Sequence, residues 1–243
     1  MRALALLLAF FVSAPALADQ LRVAVAANFT APARELAGLF KERSGHEAVL
    51  SFGSSGQFYA QITQAAPFDV FLSADAERPE KLVKDGLALA ESRFTYAIGR
   101  LVLWSRDQRA DAGEAALRQS FSKLAIANPA AAPYGGAALD VLRHVGLLEA
   151  LRARLVQGTS IAQTFQFIES GNAELGFIAL SQLEGRTDGG RWLVPGQLHR
   201  SLQQDAVLLT QGQSNKAATE FLNFLKSVEA RALIARFGYE LAP

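Results

Sequence analysis

The chain of 243 residues contains no cysteine, so it can carry neither a disulfide nor a thiol-linked lipid anchor. Histidine is scarce. His46, His144 and His199 are far apart, and no two have the i, i+4 spacing that puts a pair of imidazoles on one helix face for a metal. An excess of either charge is also missing. Lys and Arg number 24 against 23 Asp and Glu, for a net charge of +1, and setting aside Arg2 leaves the two signs equal. Such a balance argues against nucleic acid or an anionic membrane surface as partner. No internal repeat and no low-complexity tract occurs. The one sustained apolar run, Leu4 to Val12, is too short to span a bilayer.

That run has a different reading. It follows the basic start Met1-Arg2 and precedes Ala16-Leu17-Ala18, which fits an A-x-A cleavage site. Residues 1–18 are therefore expected to be a signal peptide, with the mature chain starting at Asp19 in the periplasm. The competing reading is a buried N-terminal helix.

Four short stretches share one grammar. Val49 to Phe52 is apolar and runs into Gly53-Ser54-Ser55-Gly56, after which Phe58 and Ile62 fall on one helical face. Val23 to Ala27 runs into Asn28 and a helix through Leu36 and Phe40. Leu124 to Ala127 leads to Pro133-Tyr134-Gly135-Gly136 and a helix through Leu139 and Leu142. Gly158-Thr159-Ser160-Ile161 opens a helix through Phe165 and Ile168. Each turn presents free backbone N–H groups and the positive end of a helix dipole. Four such ends in one cleft make an anion site of neutral donors. No Arg, Lys, Asp or Glu stands in any of the four turns.

Strands alternating with helices predict an α/β fold with a largely parallel sheet. The apolar stretch from Phe94 to Trp104 is too long for one ordinary strand and reads as a crossover between domains. Asp205 to Leu209 reads as the return. The expected organisation is two α/β lobes joined by two hinge crossovers, residues 19–97 and 206–243 forming lobe 1 and residues 98–205 lobe 2. The cleft between them would hold the ligand at the carboxyl ends of strands.

Catalytic readings are weak. Gly53-Ser54-Ser55-Gly56 is neither G-x-S-x-G nor a P-loop. Ser55 as an enzyme nucleophile lacks a visible base. Asp69 and Asp75 flank a strand end, either as a carboxylate site or as caps. Ser54 or Ser55 stands where the helix cap belongs, and Ser55 can cap, bind an anion, or both. Asn28 can cap or turn its amide N–H2 into the cleft. Tyr134 offers one O–H donor, and Ile161 only its backbone N–H. Tyr59, Tyr96, Tyr134 and Tyr239 include no adjacent pair, which disfavours ferric-ion binding.

The ordered set Val25 to Thr30, Phe52 to Gly56, Ala66 to Asp75, Asn128-Pro129 with Ala132 to Gly135, Gly171 to Phe177, and Phe237-Gly238-Tyr239 resembles the periplasmic molybdate-binding proteins of ABC importers. The resemblance implies a type II periplasmic binding-protein fold and a non-enzymatic carrier with no cofactor. Its ligand would be molybdate or tungstate, and its partner a membrane ABC permease; a monomer is expected. It places ligand contacts at Asn28, Ser55, Tyr134 and Ile161, with Ala27 as a backbone donor. One branch of that family has a serine at the position of Asn28 and a ligand tyrosine in the strand that here reads Gly176 to Leu180. Ala179 has no such hydroxyl, and this chain is similar to the second branch, in which Tyr134 replaces it. The nearest rival on the same fold is a binder of sulfate or another tetrahedral oxyanion.

Overall fold

The computed structural model describes residues 19–242; the signal peptide read at 1–18 lies outside them. In chain order, β1 (Gln20–Ala26) passes through a 3-10 turn (Ala27–Phe29) into α1 (Thr30–Ser44). β2 (Glu47–Gly53) leads into α2 (Ser55–Thr63), and β3 (Val70–Leu72) is followed by α3 (Glu77–Lys84). Next come β4 (Phe94–Gly99) and β5 (Leu101–Ser105), separated by Arg100 alone. β6 (Leu124–Ala127) leads to α4 (Pro133–His144) and α5 (Leu148–Leu151). β7 (Leu155–Gly158) leads to α6 (Ile161–Glu169). β8 (Leu175–Ala179), β9 (Gly190–Leu193) and β10 (Leu202–Leu208) follow, then α7 (Lys216–Leu225) and α8 (Val228–Arg236).

The strands form two five-stranded sheets, ordered β2-β1-β3-β10-β4 and β7-β6-β8-β5-β9. In each, the first three strands are parallel. The fourth runs antiparallel to both neighbours. The sheets are therefore mixed, and the departure from the parallel expectation has a topological cause. β5 and β10 are the strands by which the chain enters a sheet directly from the other one. Without a crossover helix to reverse the path, they insert antiparallel.

Both faces of each sheet are covered, which is why the strands read as apolar runs. On β1, Leu21, Val23 and Val25 pack with Phe29, Leu36 and Phe40 and with Phe221 and Leu225 of α7. Ala24 faces the opposite way, with Phe58, Ile62 and Leu82. In the second sheet Leu103, Ile126 and Phe177 face α4, while Val102, Trp104 and Ile178 face the Ile168 side of α6. Each such fully buried side chain contributes roughly 1.5–3 kcal/mol, against about 0–1 kcal/mol for an exposed ion pair. The apolar layers hold the lobes together. Gly45, at φ 76°, closes α1 in the left-handed conformation that glycine adopts without a Cβ penalty, its N–H donating to the Lys41 carbonyl.

The chain passes from the first sheet to the second at Arg100 and returns through residues 194–201. The boundaries read from the sequence, 97/98 and 205/206, fall inside β4 and β10. The C-terminal tail adds a bridge to β4, with Ile98 and Glu240 exchanging backbone hydrogen bonds of 2.7 and 3.0 Å. That bridge fixes Tyr239 beneath the seam between the lobes. Among the described residues no helix is long and apolar enough to cross a membrane.

Candidate functional site

The carboxyl ends of β1, β2, β6 and β7 all face the seam, and a helix starts after each. Ala27, Asn28, Ser55, Tyr134 and Ile161 line one small cavity there, with Ala26, Ser54, Ala74, Ala132 and Pro133 completing the wall. The five residues singled out in the sequence are thus brought together from four segments. No charged side chain is among the lining residues, and the space is about that of one water-sized sphere. The lobes are closed over it. The Gly56 N–H donates to the Ala131 carbonyl at 2.8 Å, and Arg78 Nη2 donates to the Ala130 carbonyl at 3.0 Å. A larger hollow of about 310 Å3 lies elsewhere at the hinge, beside Arg100, His199 and Glu240, but none of the four turns contributes to it.

At the second turn the two serines divide their roles. Ser54 is the N-cap of α2: its Oγ accepts from Gln57 N at 3.3 Å, and Gln57 Oε1 accepts from Ser54 N at 3.1 Å. Ser55 is the first helical residue and is not needed as a cap. Its Oγ accepts from the Ala74 N–H at 2.9 Å. A hydroxyl whose lone pair is filled from one side directs its proton elsewhere, and here the cavity adjoins it. The Ser55 N–H, being in the first turn, has no upstream carbonyl to meet.

Asn28 departs from both sequence readings. It neither caps α1 nor sends its amide N–H2 into the cleft. Nδ2 donates to Gln204 Oε1 and to the Tyr239 hydroxyl, both at 2.9 Å, which uses both protons. The Asn28 carbonyl accepts from Ser181 Oγ at 2.8 Å and from Tyr239 at 2.9 Å. Its backbone N–H, in the 3-10 turn with that of Ala27, is what it has left for the cavity.

Tyr134 sits not on a loose turn but in the first turn of α4, behind Pro133, and is 1% exposed. Its hydroxyl accepts from Gln204 Nε2 at 3.2 Å. A Cβ at position 99 would fall on that hydroxyl and lie 2.5 Å from Gln204 Nε2, so Gly99 makes room for the pair. Burial pushes the Tyr134 phenol well above its ordinary pKa, and the same holds for Tyr96. Tyr239 is raised as well, again chiefly by burial. All three therefore remain protonated donors at neutral pH.

Ile161 opens α6 behind the N-cap Ser160, whose Oγ accepts from Gln163 N at 3.3 Å. Its side chain belongs to the core of the second lobe, and its N–H lacks an upstream acceptor. Its carbonyl is held by Gln182 Nε2 at 3.1 Å, while Gln182 Oε1 accepts from Ala179 N at 2.9 Å. Asp69 and Asp75 prove to be bracing groups. Asp69 accepts from Arg22 N at 2.6 Å, and Asp75 caps at Arg78 N and pairs with the Arg78 side chain. Among the described residues no cluster of three His, Asp or Glu could hold a metal.

The sequence reading missed the layer beneath these donors: Gln204, Tyr96, Tyr239, Ser181 and Gln182. One signal for it was available. Gln203, Gln204 and Asp205 are three consecutive polar residues in a strand, where alternation would expose only the first and third, yet Gln204 and Asp205 are both buried.

Comparison with known proteins accords with this geometry. The profile of the family described as bacterial extracellular solute-binding protein matches residues 21–240. The molybdate-binding protein ModA of Rhodobacter capsulatus is 50% identical over 238 residues, covering 98% of this chain and 94% of that protein. The chain belongs to the bacterial extracellular solute-binding proteins, and among them to the ModA family. Within that family, the periplasmic molybdate-binding protein of Azotobacter vinelandii superposes with a TM-score of 0.88 at 41% identity, covering 92% of this chain and all of that one. The two-lobe fold extends further. The sulfate-binding protein SubI of Mycobacterium tuberculosis reaches a TM-score of 0.77 at only 12% identity, a likeness of fold alone.

Proposed function

We propose that this protein captures molybdate, or tungstate, in the cavity between its lobes and delivers it to a membrane ABC permease from the periplasm, acting as a monomer. The observation that carries the reading is the donor set. Hydroxyls of Ser55 and Tyr134 and first-turn N–H groups of Ala27, Asn28, Ser55 and Ile161 surround a cavity without a charged side chain. A fully deprotonated oxyanion only accepts hydrogen bonds, so it satisfies every one of them. Oriented dipoles replace a counter-ion. Phosphate, which keeps a proton near neutrality, would need an acceptor that these groups do not supply. Sulfate has the right charge but shorter bonds, and donors set to reach the longer molybdenum–oxygen bonds would hold it by stretched hydrogen bonds. The half-identical relatives named for molybdate binding support the same ligand.

A carrier rather than a hydrolase fits Ser55. Its Oγ is bonded to a backbone N–H and no imidazole lines the cavity, so no group is placed to take its proton. Calorimetry with molybdate, tungstate, sulfate and phosphate tests the reading. Tight binding of the first two and none of phosphate is expected; phosphate binding equal to molybdate would refute it.

A further inference from the structure

The amide of Gln204 occupies the centre of the buried layer under the cavity. It is fully buried, on β10, at a register shift between Gln204 and Asp205. Its two ends face different partners. Oε1 accepts from Asn28 Nδ2 at 2.9 Å and from the Tyr96 hydroxyl at 3.1 Å. Nε2 donates to the Tyr134 hydroxyl at 3.2 Å. The orientation of the amide is not free. Turning it over would set its N–H2 against the Asn28 N–H2, a donor against a donor between two buried side chains.

A directional consequence follows. With Nε2 held toward Tyr134, the phenol oxygen is filled as an acceptor, and its single proton must go elsewhere. No hydrogen bond donated by Tyr134 forms among the described residues, and the residue lines the cavity. We propose that Gln204 is a specificity-determining positioning residue, which makes Tyr134 a donor to the bound oxyanion by fixing the direction of its O–H. A residue that accepted from Tyr134 at this place would turn the proton inward and present a lone pair to the anion.

This inference rests on the reading of the cavity as an oxyanion site and narrows it. Discrimination would come not only from the groups that touch the ligand but from the amide behind them. The titratable groups around Gln204 are the phenols of Tyr96, Tyr134 and Tyr239, all raised by burial. The neighbouring Asp205 side chain is occupied by Arg93 at 2.9 Å and Thr95 at 2.8 Å.

The decisive test is a double-mutant cycle read by molybdate calorimetry. Gln204→Met keeps the bulk and removes both polar ends, and it should weaken binding about tenfold alone. In a Tyr134→Phe background the same change should cost less than about twofold, because the hydroxyl it directs is gone. Full additivity of the two losses would overturn the proposal. Gln204→Glu gives a second readout, taken as affinity relative to the parent at each pH from 6 to 10. Protonated, the carboxyl can donate to Tyr134 as the amide does; ionised, it only accepts. The ratio should fall about tenfold as pH rises through the carboxyl's titration, and a flat ratio would count against the inference. If the parent itself fails to bind any oxyanion, the functional reading has failed and not this refinement of it.

Discussion

Gly56 and Ala131 meet across the cleft, the N–H of one bonded to the carbonyl of the other at 2.8 Å. They belong to different lobes, and the contact exists only when those lobes are closed. A Cβ at position 56 would lie 2.8 Å from the Ala131 Cα and 3.0 Å from its oxygen, both backbone atoms that cannot swing away. The helix start that presents donors to the cavity also seals it.

Gly56→Ala therefore separates closure from folding. Alanine is the better helix former by about 0.8–1.0 kcal/mol, so the free protein should be no less stable. Closure must absorb an overpacking strain of roughly 1–3 kcal/mol, so molybdate affinity should fall about fivefold to a hundredfold. Small-angle scattering with saturating ligand should show a less compact particle than the parent. Unchanged affinity would mean that the closed state does not bring these backbones together.

Tyr134→Phe should act on two quantities. Loss of a hydrogen bond to a charged ligand should weaken binding about tenfold to a hundredfold. The ligand-free protein should also lose about 1–3 kcal/mol, because Gln204 Nε2 becomes an unsatisfied buried donor. Denaturant titration without ligand checks the second effect. The sequence offers Tyr134 as an O–H donor to the ligand; the stability cost comes from the buried bond that its oxygen accepts from Gln204.

Ser55→Ala removes a donor to the cavity and also orphans the Ala74 N–H. Affinity should fall at least about tenfold, measured by calorimetry. Ser54→Ala should show itself chiefly in stability, by roughly 1 kcal/mol for the lost cap. Equal effects of the two on binding would show that the serines do not divide their roles as described.

Alkaline pH should destabilise the fold in a defined window. Tyr96, Tyr134 and Tyr239 are all raised by burial, so the unfolded chain releases these protons first as pH rises. Their contribution is intact below the ordinary tyrosine pKa of about 10 and is lost progressively above it. Tyrosinate absorbance from these three should appear together with loss of the native circular dichroism. Their titration in a still-folded protein near that pH would contradict the buried network.

Much of this was legible in the sequence because the signals are local. Pro133 at the start of a helix, Gly45 at the end of one, and hydroxyls before Phe58 and Phe165 mark turns by backbone chemistry that needs no distant partner. Which of Ser54 and Ser55 caps could not be read, since both carry the same hydroxyl and only Ala74 separates their roles. Asn28 was placed at the cavity, but the fate of its amide depends on Gln204 and Tyr239, far along the chain. The hinge was harder still. β4 and β5 carry apolar residues on either side of Arg100, and the polar run Gln203-Gln204-Asp205 lies inside β10 rather than before it, so composition does not mark where one sheet ends and the next begins.

The two crossings differ in a way that bears on release of the cargo. One is Arg100 alone; the other runs through residues 194–201. A single residue spans at most about 3.3–3.6 Å, so at Arg100 the lobes cannot slide past one another or separate. The longer strand of chain beside it has slack. Such a joint works like a door on one pin with a loose strap: it allows a swing and forbids a translation. Opening must then part the far lip of the cleft first, where Gly56 meets Ala131, and leave the floor around Gln204 nearly still. An outgoing anion would lose its contacts in that order, lip before floor, and a docked permease that pries at the lip alone could empty the site.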